Sequence, residues 1–516
     1  MDQANPEPGK SGTQKAGLIL GPFLFLTMLL FLDLDPARPV ITRMAAVAVL
    51  MAVWWITDAI PLFATALLPM ILYPLLGIMK SRATAPIYFN STILLFLGGF
   101  MIALTMEKWN LHKRIALFII KIIGGGPGRI VLGFMIASSF LSMWISNTAT
   151  AIMMIPIGLA IVIKMEDKFS VAETRTFAVS LMLGIAYGCS VGGIATLVGT
   201  PPNLSFARIF QITFPDAEPV AFGTWFIMAL PISVIMLVTI WLLLTQIVWR
   251  LPADVAVDRT VIDKEYKRLG PMTFEERAVL IVFSITAVLW VFRKELTLGF
   301  FSIPGWSQLL PYADWIDDAT VALFMATILF FIPARSADAE YPTVMGPDVI
   351  LRLPWNVVLL FGGGFALAAG FQATGLSVYL GGQFSGLAGM PPFLIIITIC
   401  SGITFLTELT SNTATTEMIL PILASVALAM KTNPLLLMIP ATISASCAFM
   451  MPVATPPNAI IFGSGRIKIS EMVRVGVFIN LIGILIITAM FYLVGTAVFS
   501  IDPAVFPDWA QPAAAP

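Results

Sequence analysis

Long apolar runs separated by short polar stretches fill the chain. Each run lies near the ~20 residues that an α-helix needs to cross the hydrocarbon core of a bilayer. The pattern predicts spans near residues 16–33, 42–58, 60–79 and 91–107. In residues 107–123, Lys108, Lys113, Arg114 and Lys121 are spaced among Leu, Ile and Phe, which predicts an amphipathic helix at the membrane interface. Gly124-Gly125-Gly126-Pro127-Gly128 then breaks the chain. The run 130–163 is polar at its middle, which suits two half-helices meeting at the tip of a re-entrant hairpin. Non-helical backbone at such depth is tolerated only where protein or a cavity covers it. A span at 176–208, interrupted at Gly192-Gly193 and at 199–203, and another at 222–249 follow.

A charged, soluble link at 250–272 comes next, and then the pattern restarts. Spans are predicted at 274–293, 317–333 and 355–371, an interfacial stretch at 373–389, a second hairpin at 391–430, an interrupted span at 434–464 and a last span at 472–499. The chain thus divides into a tail (1–15), a first repeat (16–249), the link, a second repeat (273–499) and a second tail (500–516). The fold class is an all-α polytopic membrane protein with eleven transmembrane helices and two re-entrant hairpins.

Sequence identity between the halves supports the division. Ser146-Asn147-Thr148-Ala149-Thr150 recurs 265 residues on as Ser411-Asn412-Thr413-Ala414-Thr415, and Pro156 recurs as Pro421. Phe96-Leu97-Gly98-Gly99-Phe100 is echoed by Phe361-Gly362-Gly363-Gly364-Phe365 at the same offset. A second pair follows, Gly199-Thr200-Pro201-Pro202-Asn203 and Ala454-Thr455-Pro456-Pro457-Asn458. Polar, helix-breaking sequence at corresponding places in two halves of a membrane chain points to a transport site.

Composition agrees: 58% of residues are hydrophobic and 11% charged, with mean hydropathy +0.93. The formal net charge of zero says nothing about partners, and no nucleic-acid partner is expected. The apolar run 16–32 has no small-residue cleavage site after it and reads as an uncleaved first span. Cys189, Cys400 and Cys447 all lie in apolar segments, which argues against a disulfide framework. The single histidine, His112, sits beside Lys113 and Arg114, which argues against a histidine metal site or triad. With the N-terminus inside, 21 of the 29 Lys and Arg residues fall on the cytoplasmic side, as the positive-inside rule requires. The two hairpins then enter from opposite sides, so the repeats are inverted.

No Lys or Arg occurs in 130–163, 176–207, 395–430 or 434–465. A site built from these segments holds its ligand with asparagine, hydroxyls and backbone freed at broken helices. Half-helix N-termini favour anions, and freed carbonyls favour Na⁺. A dianion without fixed positive charge is costly at this depth, and co-bound cations would offset it. The competing reading is that the SNT segments are small-residue helix packing, which fits one copy better than two copies with TPPN partners. Glu408 and Glu417, intramembrane carboxylates with Met143 and Ile152 as repeat counterparts, stand between structural and functional roles. Asp58, at a span boundary, reads as structural.

With both motifs doubled and the halves inverted, the chain resembles the divalent anion/sodium symporter family, which includes sodium-coupled dicarboxylate and citrate transporters. The resemblance runs from about residue 16 to 499. It implies a homodimer in the plasma membrane, N-terminus cytoplasmic and C-terminus outside, whose protomers each join a scaffold to a mobile transport domain working as an elevator. It implies one Na⁺ site from Ser142, Ser146, Asn147 and the backbone near Gly199, and another from Thr407, Ser411, Asn412 and the backbone near Ala454. The substrate carboxylates would meet Asn147, Thr148, Asn412 and Thr413, with Thr200, Pro201, Thr455 and Pro456 lining the pocket. The function expected is Na⁺-coupled import of C4-dicarboxylates, with Na⁺-independent dicarboxylate exchange, or citrate or sulfate transport, as alternatives within the family. No metal-ligand cluster, nucleophile elbow or phosphate loop supports an enzyme, and two broken hairpins suit alternating access better than a channel.

Overall fold

Proline and short polar residues set where the helices begin. Pro39, Pro127, Pro201, Pro392 and Pro456 each open a helix, at the one position where a missing N–H costs nothing. Asn90 and Asp317 accept from the first free amides of Ser91–Lys108 and Asp318–Phe331. Ser170 and Thr273 form reciprocal capping boxes with Glu173 and Glu276. The structure, a computed structural model, describes residues 10–167, 169–251, 260–298, 301–337, 339–383 and 391–511. Parts of the two predicted tails, residues 252–259 of the link, residues 384–389 of the second interfacial stretch and Lys168 lie outside the described residues.

Among the described residues, nine helices are long and apolar enough to cross a membrane. Seven coincide with predicted spans, and the other two, Asn147–Glu166 and Asn412–Ala429, are the second arms of the two hairpins. The hairpins pair Pro127–Ser142 with Asn147–Glu166, and Pro392–Thr407 with Asn412–Ala429. Three of these four boundaries repeat at the 265-residue offset. The last span of each half also ends alike, Phe222–Leu242 passing into a π-helical turn at Leu243–Ile247 and Ile469–Met490 into one at Phe491–Gly495.

Several expectations need correction. The span at 60–79 is two short helices, Leu62–Thr65 and Leu68–Leu75, because Pro61, Pro69 and Pro74 interrupt the ladder. Gly192-Gly193 does not break its span, since Val171–Ile194 is continuous through both. Gly192 serves packing instead: a Cβ there would lie 2.2 Å from the Ser139 carbonyl oxygen, and one on Gly188 would lie 2.9 Å from that of Met135. The two helices touch along this stripe. Within the link, the hydropathy pattern gave no sign of the helix Thr260–Arg268. Glu265 and Asp263 pair with Lys113 and Lys121 of the amphipathic helix Leu111–Ile123, while Arg114 clamps Glu276 at 2.8 and 2.9 Å and donates to the Leu269 and Gly270 carbonyls. Hydropathy also gave no sign of the small antiparallel pair Leu296–Leu298 and Phe301–Ile303.

Burial separates outer from inner helices. Gly12–Phe31 buries only Gly17 and Gly21, against Pro39–Thr57, and presents Ile19, Phe23, Leu30 and Phe31 outward. The helix Val171–Ile194 is buried at every position from Phe177 to Ile194. It packs on both arms of the first hairpin, on Phe222–Leu242 and on Pro456–Gly463 of the other half. Tyr187 on this helix donates to the Phe449 carbonyl at 2.6 Å, tying the first half to the break of the second.

Candidate functional site

Each interrupted span stops at a non-helical break and restarts at a proline pair. In the first half the break is 195–200, between Val171–Ile194 and Pro201–Thr213; in the second it is 446–455, between Leu435–Ala445 and Pro456–Gly463. Breaking a helix frees backbone donors and acceptors that must be satisfied inside the protein. Asn203 does this in the first half, its amide nitrogen donating to the carbonyls of Gly193, Ile194 and Thr196 at 3.3, 3.1 and 2.7 Å. Asn458 does it in the second, donating to Ala448 and Met451 at 3.0 and 3.1 Å. Both side chains are fully buried, and both leave Oδ1 without a partner. The TPPN asparagines are therefore braces that hold the two breaks open in the same way.

The hairpin tips meet these breaks. At the first, Ser142 closes one arm and donates to Asn147 Oδ1, while Ser146 caps the other arm by accepting the Ala149 N–H at 3.1 Å. The Asn147 oxygen points into the break: a Cβ on Gly193 would lie 2.9 Å from it, 3.0 Å from the Gly199 carbonyl oxygen and 3.3 Å from Thr200 Cβ. Thr196, which sequence reasoning missed, stitches tip to break by donating to the Met143 carbonyl at 2.5 Å and accepting the Gly199 N–H at 3.0 Å. Ser142, Asn147, Gly199 and Thr200 thus come together as expected.

At the second tip, Thr407 bridges Asn412 Oδ1 at 2.7 Å and the Ala445 carbonyl at 2.9 Å. Ser411 caps its arm without a side-chain hydrogen bond. Ala454 is buried in the break, and Thr455 accepts the Asn458 N–H at 3.3 Å. Thr148 and Thr413 occupy the first turn of their arms beside the asparagines, the first half-buried and the second buried. Pro201 and Pro456 begin the half-helices, the first half-buried and the second exposed.

Cross-packing joins the halves: Pro201–Thr213 lies on Asn412–Ala429, and Pro456–Gly463 lies on Asn147–Glu166. All four helices begin at the duplicated motifs, so four positive helix ends serve this region, and no Lys or Arg lies in the segments 130–163, 176–207, 395–430 and 434–465 around it. Its donor set is hydroxyl, amide and carbonyl oxygen, with buried oxygens of Asn203 and Asn458 unpartnered. That is the chemistry of a small hard cation beside an anion. Among the described residues no cluster of His, Cys, Asp and Glu suits a transition metal.

The two carboxylates have definite places. Glu408 accepts the N–H groups of Phe449, Met450 and Met451 at 2.7–3.0 Å and the Asn480 amide at 2.8 Å, holding the second break. Its first-half counterpart, Met143, offers a backbone carbonyl to Thr196 instead. Glu417 is fully buried against Gly364 and accepts from Ser205 at 3.1 Å, linking the second hairpin to the first half-helix.

Comparisons with known proteins match this architecture. The family described as the sodium:sulfate symporter transmembrane region matches residues 16–501. A protein named sodium-dependent dicarboxylate transporter SdcS from Staphylococcus saprophyticus is 41% identical over 499 residues, covering 95% of this chain and 93% of its own. The Staphylococcus aureus protein of the same name is 42% identical over 501 residues, with the same coverage. Among solved structures, the Alcanivorax borkumensis YdaH transporter superposes with TM-score 0.56 at 15% identity over 87% of this chain and 98% of its own. Neisseria gonorrhoeae MtrF does so with TM-score 0.56 at 14% identity over 92% and 97%, and both are likenesses of fold. Matched along nearly its whole length by the family's model and by relatives above 40% identity, the chain belongs to the sodium:sulfate symporter family, the divalent anion/sodium symporters that its doubled motifs resemble.

Proposed function

We propose that the chain is a Na⁺-coupled importer of C4-dicarboxylates such as succinate, malate and fumarate. The observation that carries the reading is the duplicated tip-and-break site, built from neutral oxygen donors and four helix N-termini. Ser142, Ser146, Asn147 and the Gly199 backbone hold one Na⁺. Thr407, Ser411, Asn412 and the Ala454 backbone hold the other. Asn147, Thr148, Asn412 and Thr413 receive the substrate carboxylates, with Thr200, Pro201, Thr455 and Pro456 as walls. Each asparagine touches both a cation and a carboxylate, so the cations offset a dianion that would otherwise be costly to desolvate. The names of the Staphylococcus relatives support the pairing of sodium with a dicarboxylate. The chain is a transporter rather than an enzyme, and it works in the plasma membrane as a homodimer. The hairpins and half-helices move together past a fixed scaffold.

Uptake of labelled succinate into proteoliposomes with and without a Na⁺ gradient tests the reading. Wild-type uptake is expected to rise with Na⁺ with a log–log slope above one, because two sites fill. Uptake indifferent to Na⁺ but stimulated by internal dicarboxylate would replace it with exchange. Ser142 and Thr407 sharpen the test. Each hydroxyl ends its arm and lies on the oxygen of the asparagine that opens the next one. Removing either is expected to weaken Na⁺ and to reach the anion only by linkage, which is reciprocal. In Ser142→Ala and Thr407→Ala, apparent succinate affinity should fall at low Na⁺ and largely recover at high Na⁺. A deficit that persists at saturating Na⁺ would assign these hydroxyls to the substrate.

The topology is equally open to test. The N-terminus is cytoplasmic, the C-terminus is outside, and the hairpins open to opposite faces. Single cysteines near residue 260 and near residue 382, in a chain lacking Cys189, Cys400 and Cys447, should label from opposite sides with an impermeant maleimide. Labelling from one side would remove the inverted arrangement.

A further inference from the structure

Pro201–Thr213 runs from the first break toward the loop at 214–221. Eight of its thirteen residues are buried, and the remaining five are Pro201, Ala207, Arg208, Gln211 and Ile212. At 3.6 residues per turn Ala207, Arg208, Gln211 and Ile212 form one stripe along the second half of the helix, on the face of Pro201, with the fully buried Leu204 and Ser205 in the turn between. Arg208 lies on that stripe seven residues beyond Pro201, about 10 Å along the axis at 1.5 Å per residue.

Arg208 differs from the other covered arginines of the molecule. Arg114 is paired with Glu276, Arg293 with Asp318 and Arg466 with Glu166. Arg208 is half-buried and its Nε is shielded from solvent, yet among the described residues it has no hydrogen-bond or ion-pair partner. An ionisable group at membrane depth without a protein partner is costly and marks a pathway or a ligand. The repeat strengthens the point. Where the TPPN segments are aligned, the residue matching Arg208 is Gly463, so only one of the two half-helices carries the charge. That half-helix ends on the face where Lys294 pairs with Glu218 and Trp509 packs on Phe210, the outer face in the topology proposed above.

We propose that Arg208 is a recruiting site for the organic dianion on the outer approach to the pocket. The proposal rests on the dicarboxylate and topology readings. A guanidinium presents a planar fork of donors that matches a carboxylate, and half-covered by protein its field reaches further than at an open surface. It captures one carboxylate two turns above the neutral pocket and lets go when the asparagines and Na⁺ take over. A fixed cation inside the pocket would hold the dianion too long, whereas one outside it raises occupancy without slowing release. The missing charge at Gly463 gives the inner approach no such aid.

The test is succinate transport by Arg208→Gln and Arg208→Lys in oriented proteoliposomes of phosphatidylcholine, measured from each side at fixed Na⁺ over a range of ionic strength. Arg208→Gln is expected to raise the outer-side apparent KM about tenfold, the loss of one charge-assisted contact. With Na⁺ equal on both sides, Vmax/KM must stay equal in the two directions, so the maximal uptake rate and the inner-side KM should stay unchanged while the maximal rate of outward transport falls by the same factor, and the salt dependence of outer-side uptake should flatten. Arg208→Lys is expected to restore most of the outer-side KM. An unchanged outer-side KM in Arg208→Gln, as for an arginine that merely reaches lipid phosphate, or an equal rise on both sides, would overturn the proposal. Should the glutamine variant fail to fold, the wild type decides: an outer-side KM indifferent to ionic strength also overturns it. Wild-type liposomes without Na⁺-driven succinate uptake would instead overturn the functional reading, and outer-side salt effects located on the opposite face would overturn the topology.

Discussion

Glu408→Ala is expected to destabilise the folded chain by about 3–5 kcal/mol, the usual cost of breaking a buried charged network, and to abolish Na⁺-driven uptake. The carboxylate accepts three consecutive backbone N–H groups, from Phe449, Met450 and Met451, and the amide of Asn480. The three backbone donors belong to the second break, where the helix that ends at Ala445 has no successor until Pro456, and Asn480 lies on Ile469–Met490. Alanine would leave all four donors without that acceptor, and each orphan is worth about 1–3 kcal/mol. Not all of this loss appears, because the segment can relax. Glu408→Gln keeps one carbonyl oxygen and should be intermediate in both stability and rate. Thermal unfolding of detergent-purified protein, followed by size-exclusion retention beside liposome uptake, reads both quantities. Wild-type stability in the alanine variant would show that the carboxylate does not hold the break.

Why so much of this architecture was legible in the sequence is clear from particular residues. A bilayer imposes one length on every span, so hydropathy located most of the helices, and the 265-residue offset placed both hairpins because Asn147 and Asn412 open equivalent arms. The errors occurred where hydropathy has no handle. Gly192-Gly193 looks like a break and is a contact stripe, since a glycine that admits a neighbouring backbone and one that ends a helix read alike in one sequence. The link helix escaped notice because its stability comes from Lys113, Lys121 and Arg114, more than 130 residues away in the chain. Within the site, the doubled residues were found, Glu408 stood out singly as an intramembrane carboxylate, and Thr196 was missed. Thr196 faces Met143 in one half, Glu408 faces the 449–451 amides in the other, and neither has a copy to announce it. The two halves solve the same backbone problem with different side chains, so repetition marks the proposed ligand site better than it marks what braces the breaks.

The remaining large effect is expected at Asn147 and Asn412. Each side-chain oxygen lies at a tip, on Ser142 or Thr407, where the hydroxyl and the carbonyls of the break converge. With one amide serving a cation through oxygen and a substrate carboxylate through nitrogen, alanine removes a contact from each ligand. A hydrogen bond to a charged group is worth about 1.5–3 kcal/mol, so Asn147→Ala and Asn412→Ala should each lower apparent succinate affinity at least about tenfold. Unlike the Ser142 and Thr407 variants, they should not recover at high Na⁺, because the anion has lost its own partner. Replacement by Asp is expected to behave differently again. It preserves the cation's oxygen and can tighten Na⁺, but it sets a negative charge against the dianion and should reduce succinate binding further than Ala does. Equilibrium binding of Na⁺ and succinate to each purified variant separates these effects. Normal succinate affinity in both alanine variants would return the doubled SNT segments to the role of helix packing.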